Sequence, residues 1–415
     1  MKVLVHAINH APELTGCGKY TGDLVAWLST RDHEVRVITT FQYYPEWKKN
    51  DRDRGLQYRR EILDGATVTR CPHWVSGRLN VLRRILHLLS FVISSFPILI
   101  WTVFRWRPEV VYMVAPTLLG APMVLILSKL FGVRSWIHIQ DFEVDVMLGI
   151  EESRRGVRKG MKESTGLCFE RLCLSRADRV SSISPAMVDK LVEKGVSTKK
   201  TSLFPNWVDL DFYQPLPDEE RIRKEFGYTE DDVIILYAGN IGLKQGLDQL
   251  PELVERCTAS PNIKFLIVGE GIFKARLKEE LSEGVEKNRV KFLPLQSSEN
   301  LVRIMTIGDL HLVLQRKEVK DLVLPSKLTT ILSMGGHALI TASKGSTLGN
   351  LVEEHPGVAS LLEPGDSEAL YQFLISWASS RPAKPNAIAR GYAEEKLGRE
   401  KILMRFEKEL RELDL

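Results

Sequence analysis

The sequence predicts an α/β protein built from two Rossmann-like, doubly wound domains. Three observations carry that prediction. Short apolar segments alternate with helical stretches from one end to the other, they fall into two series of five, and a turn-rich segment separates the series. At 415 residues and 44% hydrophobic content, the chain has enough apolar mass for two cores.

The first series of expected strands covers 3–8, 34–39, 110–114, 136–139 and 180–183, and the second 233–238, 265–268, 290–293, 310–314 and 338–340. Between them Phe204-Pro-Asn-Trp-Val-Asp-Leu-Asp-Phe-Tyr-Gln-Pro215 is dense in turn formers and places a boundary near residue 206. The expected division is therefore 1–205, 206–385, and a helical tail at 386–415 that packs back on the first domain. In such folds a ligand binds at the carboxyl ends of the strands, here expected in a cleft between the two domains.

Net charge is +4, but residues 1–205 carry 30 Lys+Arg against 20 Asp+Glu while residues 206–415 carry 27 against 33, a split of +10 and −6. A basic half suits a phosphorylated ligand or an anionic membrane. No basic run interleaved with aromatics is present, which argues against nucleic acid. Five scattered cysteines without a CxxC pair argue against a disulfide framework or zinc site. The start, Met1 to Asn9, reads as a buried strand rather than a signal peptide, so a cytoplasmic protein is expected.

The segment 85–104 is apolar almost all round, with Arg78, Arg83 and Arg84 before it and Arg105 and Arg107 after. A bilayer-spanning helix here would put strands of one sheet on opposite sides of a membrane. The expected element near 81–104 is a crossover helix with one face on the sheet and the other, carrying Phe91, Ile98 and Trp101, docked on the inner face of the cytoplasmic membrane. Burial of the whole helix on the sheet is the alternative.

Chemistry is expected in four places. The stretch Asp321 to Thr341 reads as loop, helix, turn and strand; its helix start at Pro325, Ser326 and Leu328 is electropositive, and with Lys327 it suits a pyrophosphate. Asp321 and Leu324 lie in the loop just before it, where Asp321 suits sugar hydroxyls. The turn Gly239-Asn-Ile-Gly-Leu-Lys-Gln-Gly246 offers Asn240, Lys244 and Gln245 to a phosphate, or is a solvated turn. Thr15-Gly-Cys-Gly-Lys-Tyr-Thr-Gly22 places Gly16, Gly18 and Lys19 where a donor approaches the backbone, or is a helix-entry loop that needs small residues. Its seven-residue gap from the strand end at Ile8, and Thr39-Thr40 in place of an acidic residue on the second strand, argue against a dinucleotide cofactor. Finally, His138, Gln140 and Asp141 end a strand with polar groups that either touch the acceptor sugar or, for His138, belong to the core. Asp141, Glu143 and Asp145 read as a solvated rim before a metal site. Arg154, Arg155, Arg158, Lys159 and Lys162 form a solvated face or a patch for an anionic lipid-linked acceptor.

Asn9-His-Ala-Pro-Glu-Leu-Thr-Gly-Cys-Gly-Lys-Tyr20, His138-Ile-Gln-Asp141, Phe204-Pro-Asn-Trp207, Gly239 to Leu247 and Leu324-Pro-Ser-Lys-Leu328 together make the chain resemble a family 4 glycosyltransferase of the GT-B fold, in the branch associated with colanic acid and other exopolysaccharides. The resemblance covers nearly the whole chain. It implies retaining, metal-independent transfer of a sugar from a nucleotide sugar, GDP-fucose by analogy, to a polyprenyl-diphosphate-linked saccharide, without a cofactor. It assigns leaving-group stabilisation to Lys327, and catalytic contributions to Asp321, His138 and Asp141. It also implies donor contacts at Leu295 and Thr329. Family members commonly carry two glutamates seven residues apart, where this chain has Asp321 and Thr329. The family's arginine and lysine of the phosphate loop fall at Asn240 and Gln245, and Gln140 stands where a histidine often precedes the aspartate. These departures leave room for a nucleotide-sugar-binding scaffold without activity.

Overall fold

The computed structural model describes residues 1–13, 16–44, 47–53, 55–77, 81–142, 144–145, 161–242, 245–316 and 325–413. The chain forms two compact units, Met1–Asn206 with Ile402–Leu415, and Trp207–Lys401. Residues 386–401, expected in a tail returning to the first domain, stay with the second unit; the return is confined to the last helix.

The first unit is an eight-stranded sheet: β1 (Lys2–Ala7), β2 (Glu34–Thr40), β3 (Arg59–Leu63), β4 (Ala66–Cys71), β5 (Val110–Ala115), β6 (Arg134–Ile139), β7 (Arg179–Ser182) and β8 (Thr201–Leu203), in the order β3-β4-β2-β1-β5-β6-β7-β8. All pairs are parallel except β3 with β4. The continuous apolar runs explain the parallel pairing, since strands covered on both faces need no polar side: every residue of β5 is buried. The β3–β4 hairpin is not among the expected strands. It turns at Asp64 and Gly65, whose φ angles of 50° and 80° are the left-handed pair that a two-residue hairpin turn requires. The last helix, Arg399–Leu413, inserts Phe406 beside Trp136, Tyr112 and Phe204 with ring centroids 4.8, 5.2 and 4.4 Å away. Its Glu407 pairs with Arg31 at 2.8 Å and His33 at 3.1 Å, which locks the chain end to the start of β2.

Helices α1 (Gly16–Ser29), α2 (Val81–Trp106) and α3 (Ala121–Phe131) cover this sheet. The 26 residues of α2 extend for about 39 Å. Among the described residues it is the one helix long and apolar enough to cross a membrane, with mean hydropathy 1.9. It is instead the connection between β4 and β5 of a single sheet. Its inner stripe, Leu88, Phe91, Val92, Ser95, Leu99 and Val103, recurs at helical spacing and is buried. Phe91, expected on the outward face, is in the core, stacked on His6 at 5.0 Å. The outward stripe is Leu82, Leu86, Ile93, Phe96, Ile100, Trp101 and Phe104, with Ile98 half-buried beside it. It continues onto α3 through a Phe104–Phe131 ring contact at 6.0 Å, joined there by exposed Ile126 and Leu130.

The second unit is a parallel six-stranded sheet of β9 (Val233–Ala238), β10 (Ile263–Val268), β11 (Val290–Leu293), β12 (Leu310–Val313), β13 (Ala338–Thr341) and β14 (Ser360–Leu362), in the order β11-β10-β9-β12-β13-β14. Alternate strand residues feed two cores. Ile234, Leu236, Leu266 and Ile340 pack on one face, and Val233, Ile235, Phe265, Ile267 and Leu339 on the other. Asp309 ties the inner edge together. Its carboxylate accepts the Ile234 N–H at 2.7 Å and pairs with Arg223 at 2.5 Å and Lys384 at 3.2 Å. Burial alone would raise its pKa, but these two cations outweigh it and the carboxyl lies below its usual range.

Candidate active site

The strand order of the second unit reverses between β9 and β12, so the loops that leave these two strands part around a crevice. The β9 loop is drawn close by glycines on its neighbour. A Cβ on Gly269 would lie 1.9 Å from the Gly239 carbonyl oxygen, and one on Gly271 would lie 2.2 Å from the Ile241 carbonyl oxygen. The Gly239 N–H donates to the Val268 carbonyl, and the Ile241 N–H to the Glu270 carbonyl. Gly239 itself has φ +153°.

Across this turn stands α4 (Ser326–Ser333). Pro325 precedes it as a cap without a side-chain acceptor, and the first turn carries no acid, so its positive end keeps its field. Lys327 lies over the Tyr237 ring, with Nζ 4.8 Å from the centroid, and its Cδ is 3.7 Å from where a Gly239 Cβ would be. Tyr237 is in turn fixed by its hydroxyl, which donates to the Asn240 carbonyl at 2.6 Å. Tyr237 escapes sequence reading because it is one apolar letter in a buried strand. Its neighbour two positions on, Gly239, is the signal that its ring is left uncovered for a lysine. The side-chain amides of Asn240 and Gln245 converge over Gly242, where a Cβ would meet them at 3.2 and 2.7 Å. A lysine, a helix start and two neutral amides thus gather at one strand end, with Lys274 Nζ on the Gly269 carbonyl of the neighbouring loop at 2.7 Å, an arrangement chemically suited to a phosphate.

Not every expected donor residue presents its side chain there. Leu328 is fully buried in the core, and its N–H already donates to Pro325 at 2.8 Å. Thr329 is buried, and its hydroxyl donates to the Ser326 carbonyl at 2.8 Å, so it bonds back to its own helix. Ser326 is exposed, and Leu295, beyond β11, is 75% exposed. Asp321, Leu324 and Lys244 lie outside the described residues, as do Glu143 and Arg154, Arg155, Arg158 and Lys159.

In the first unit the order reverses between β1 and β5. The glycines after β1 serve the protein's own side chains. A Cβ on Gly18 would lie 2.3 Å from Glu13 Oε2 and 2.6 Å from Glu13 Cβ, and one on Gly22 would lie 2.9 Å from Ala11 Cβ. Gly16 has φ +62° and abuts Tyr44 at 3.5 Å. Gly16 therefore admits Tyr44 and Gly18 admits Glu13, which occupies the space beside Gly18. Lys19 stays in the first turn of α1 with Nζ 5.6 Å from the Tyr20 ring. Glu13 Oε2 accepts from Asn9 Nδ2 at 2.9 Å, and Asn9 Nδ2 also reaches the Tyr43 hydroxyl at 3.1 Å. Burial pushes the Glu13 carboxyl up to about 7, against the pull of the Asn9 amide and the backbone N–H groups of Tyr43 and Tyr44.

His138 is a core histidine. Gln140 Nε2 donates to its Nε2 at 3.0 Å, its Nδ1 meets Ser181 Oγ at 2.9 Å, and Tyr112 and Phe204 flank the ring. Burial lowers its pKa to about 3, so it carries no charge near neutrality and both nitrogens are engaged, which is the core alternative of the two readings of His138. Gln140 also donates to Asn206 Oδ1 at 3.2 Å. Asp141, by contrast, stands at the open end of β6, its carboxyl raised by desolvation and pulled back by Arg84.

A doubly wound domain whose switch point is framed by a glycine turn and a lysine-bearing helix start has the architecture of α/β proteins that bind their ligands at the strand ends. Residues 15–207 match the Glycosyl transferase 4-like domain and residues 218–394 match Glycosyl transferases group 1. The chain is 44% identical over 414 residues to the "Putative colanic acid biosynthesis glycosyl transferase WcaI" of Escherichia coli (strain K12), covering 99% of this chain and 100% of that one. Sucrose-phosphate synthase from Thermosynechococcus elongatus has the same fold, with TM-score 0.72 at 18% identity and 100% and 99% of the two chains covered. Anabaena HepE in complex with UDP superposes with TM-score 0.68 at 15% identity over 99% and 100%. The chain belongs to the glycosyltransferases of these two matched domain families, and it is an enzyme of the GT-B fold.

Proposed function

We propose that this glycosyltransferase moves a sugar, with retention of configuration, from a nucleotide sugar to a polyprenyl-diphosphate-linked saccharide during exopolysaccharide assembly on the inner face of the cytoplasmic membrane. The observation that carries the reading is the placement of Lys327 over Tyr237 and against Gly239 at the start of α4. As the glycosidic bond breaks, negative charge grows on the departing diphosphate. A fixed ammonium and a helix start stabilise that charge more than the ground state. The relative named for colanic acid biosynthesis supports the pathway class, and the HepE complexes with UDP and UDP-glucose support a nucleotide-sugar donor. GDP-fucose is the donor we infer by analogy.

The outward stripe of α2 and α3 supports membrane docking, because seven large apolar side chains of one helix face solvent and exposed Arg105, Arg107 and Lys129 flank them. Replacing Ile93, Trp101 and Phe104 together with serine is expected to release the protein from vesicles containing phosphatidylglycerol. Unchanged sedimentation would remove the docking role.

The deciding experiment for the activity follows nucleoside diphosphate release from a panel of nucleotide sugars with and without a polyprenyl-diphosphate-linked saccharide. Release that depends on the acceptor, with GDP-fucose the preferred donor, is expected. Donor binding without turnover on any acceptor would instead indicate a scaffold.

A further inference from the structure

Beside the Glu13 loop, two histidines stand together without the partners that buried imidazoles need. His73, just past β4, and His87, in the second turn of α2, have ring centroids 5.5 Å apart, and Tyr43 lies 5.2 and 4.7 Å from them. They are only 5% and 3% exposed. Neither nitrogen of His73 makes a hydrogen bond of good geometry, the Cys71 backbone being its weak polar neighbour. In His87 only Nδ1 does, to the Trp74 carbonyl at 2.6 Å. A buried polar atom without a partner is costly, so three within one cluster are expensive for a purely structural corner. His311 in the second unit also has both nitrogens unpaired, but it is alone, walled in by Gly308 and Gly336. The His73–His87 pair lies at the carboxyl end of its sheet, with exposed Trp74 and half-buried Trp47 at its edge. Trp47 is held at φ +52°, a strained region for a bulky residue and one that concentrates at ligand sites.

Two cations face this pair. Lys49 Nζ donates to the His73 carbonyl at 2.6 Å, and Arg84 precedes His87 by one helical turn on the same helix. Both are half-buried, and neither forms an ion pair with a carboxylate among the described residues. Their field reaches both rings. Desolvation and then His87 and Lys49 lower His73 to about 2, while Arg84 and Lys49 add to the desolvation that lowers His87. His87 spends its Nδ1 proton on the Trp74 carbonyl, so its Nε2 is an acceptor, and the donors left for an anion with several oxygens are Arg84, Lys49 and the one N–H of neutral His73. The place suits one in particular, since Arg84 and His87 belong to the first turns of the helix whose outer stripe faces outward.

We propose that Arg84, Lys49 and the His73 N–H, with His87 lining the wall, form a phosphate subsite that holds the diphosphate of the lipid-linked acceptor. The proposal rests on the acceptor class inferred above, and it makes these four residues determinants of acceptor affinity, not of donor activation.

The test uses the full-length chain and compares wild type with Arg84→Gln, Lys49→Gln and Arg84→Lys. For a polyprenyl-diphosphate-linked saccharide, each Gln variant is expected to raise the acceptor KM by about tenfold or more with donor KM within about twofold, and Lys49→Gln keeps kcat within about twofold; Arg84→Lys recovers part of the loss. Vesicles of phosphatidylglycerol without acceptor separate the two lipid sources. Equal loss of vesicle binding in the Gln variants would assign the cations to phospholipid headgroups and overturn the proposal. Unchanged acceptor KM with transfer intact would overturn it while leaving the function standing. If wild type transfers to no lipid-linked acceptor, the function fails, and the subsite is decided separately by titrating inorganic pyrophosphate into a Lys327→Ala background. Shifts of the His73 and His87 ring resonances that vanish in Arg84→Gln support it, and no shift refutes it.

Discussion

The two sheets present the same device, a glycine-punctuated loop at a switch point, and use it in opposite ways. In the second unit the bare glycines at 269 and 271 let one backbone loop lie against another, so that the β9 turn is pulled aside and Lys327 reaches over Tyr237. In the first unit the bare glycine at 18 is covered by the chain's own Glu13. Identical residue types therefore mark a turn packed against backbone beside Lys327 in one place and a self-filled turn in the other. What distinguishes them is whether the nearest group is backbone or a side chain that fills the gap.

The largest expected effect lies on the Lys327 side. Lys327→Ala should lower kcat by about 10²–10³, the scale of removing one fixed donor from a developing charge, without lowering Tm by more than a few degrees. Near-normal turnover would detach Lys327 from the chemistry and erase the contrast between the loops. Gly269→Ala comes next. Its Cβ would collide with a backbone oxygen and its φ of +139° disfavours any side chain, so a loss of about 2–4 kcal/mol in chemical denaturation and weaker donor binding are expected together. Gly18→Ala displaces only Glu13, so about 1–3 kcal/mol of stability should be lost with donor KM unchanged. A raised donor KM in Gly18→Ala would show that the first loop also meets the nucleotide sugar.

All ten strands expected from apolar runs are present, because a strand buried on both faces writes its burial directly into the sequence. The β3–β4 hairpin was overlooked since Arg59, Arg60 and Glu61 make an edge strand read as loop, although Asp64-Gly65 is a hairpin signal in its own right. The position of Lys327 in the first turn of a helix is legible from Pro325 and the apolar spacing that follows it. The roles of His138, Leu328 and Thr329 are not, because sequence places a residue on an element but does not say whether its polar atoms are satisfied internally. Each of the three spends its hydrogen-bonding or apolar surface inside the fold. The His73–His87 pair was invisible for a related reason: its members come from a loop and a helix fourteen positions apart in the chain, and only the fold brings their rings together.

The smallest expected effect is a dependence of stability on pH, and it tests the self-filled loop by itself. Glu13 has a folded pKa of about 7 against a reference value of 4.5, so between those pH values the folded state holds a proton that the unfolded chain releases. Stability from this group is complete below about pH 4.5 and declines as pH rises toward 7, with a slope no steeper than about 1.4 kcal/mol per pH unit. Glu13→Gln keeps the shape and the side-chain oxygen that accepts from Asn9 while removing the titration. Its urea midpoints at pH 5 and pH 7.5 should therefore lie closer together than those of wild type, and the variant should be the more stable of the two at pH 7.5. Parallel midpoint curves would mean that Glu13 is hydrated and that Gly18 admits a ligand after all.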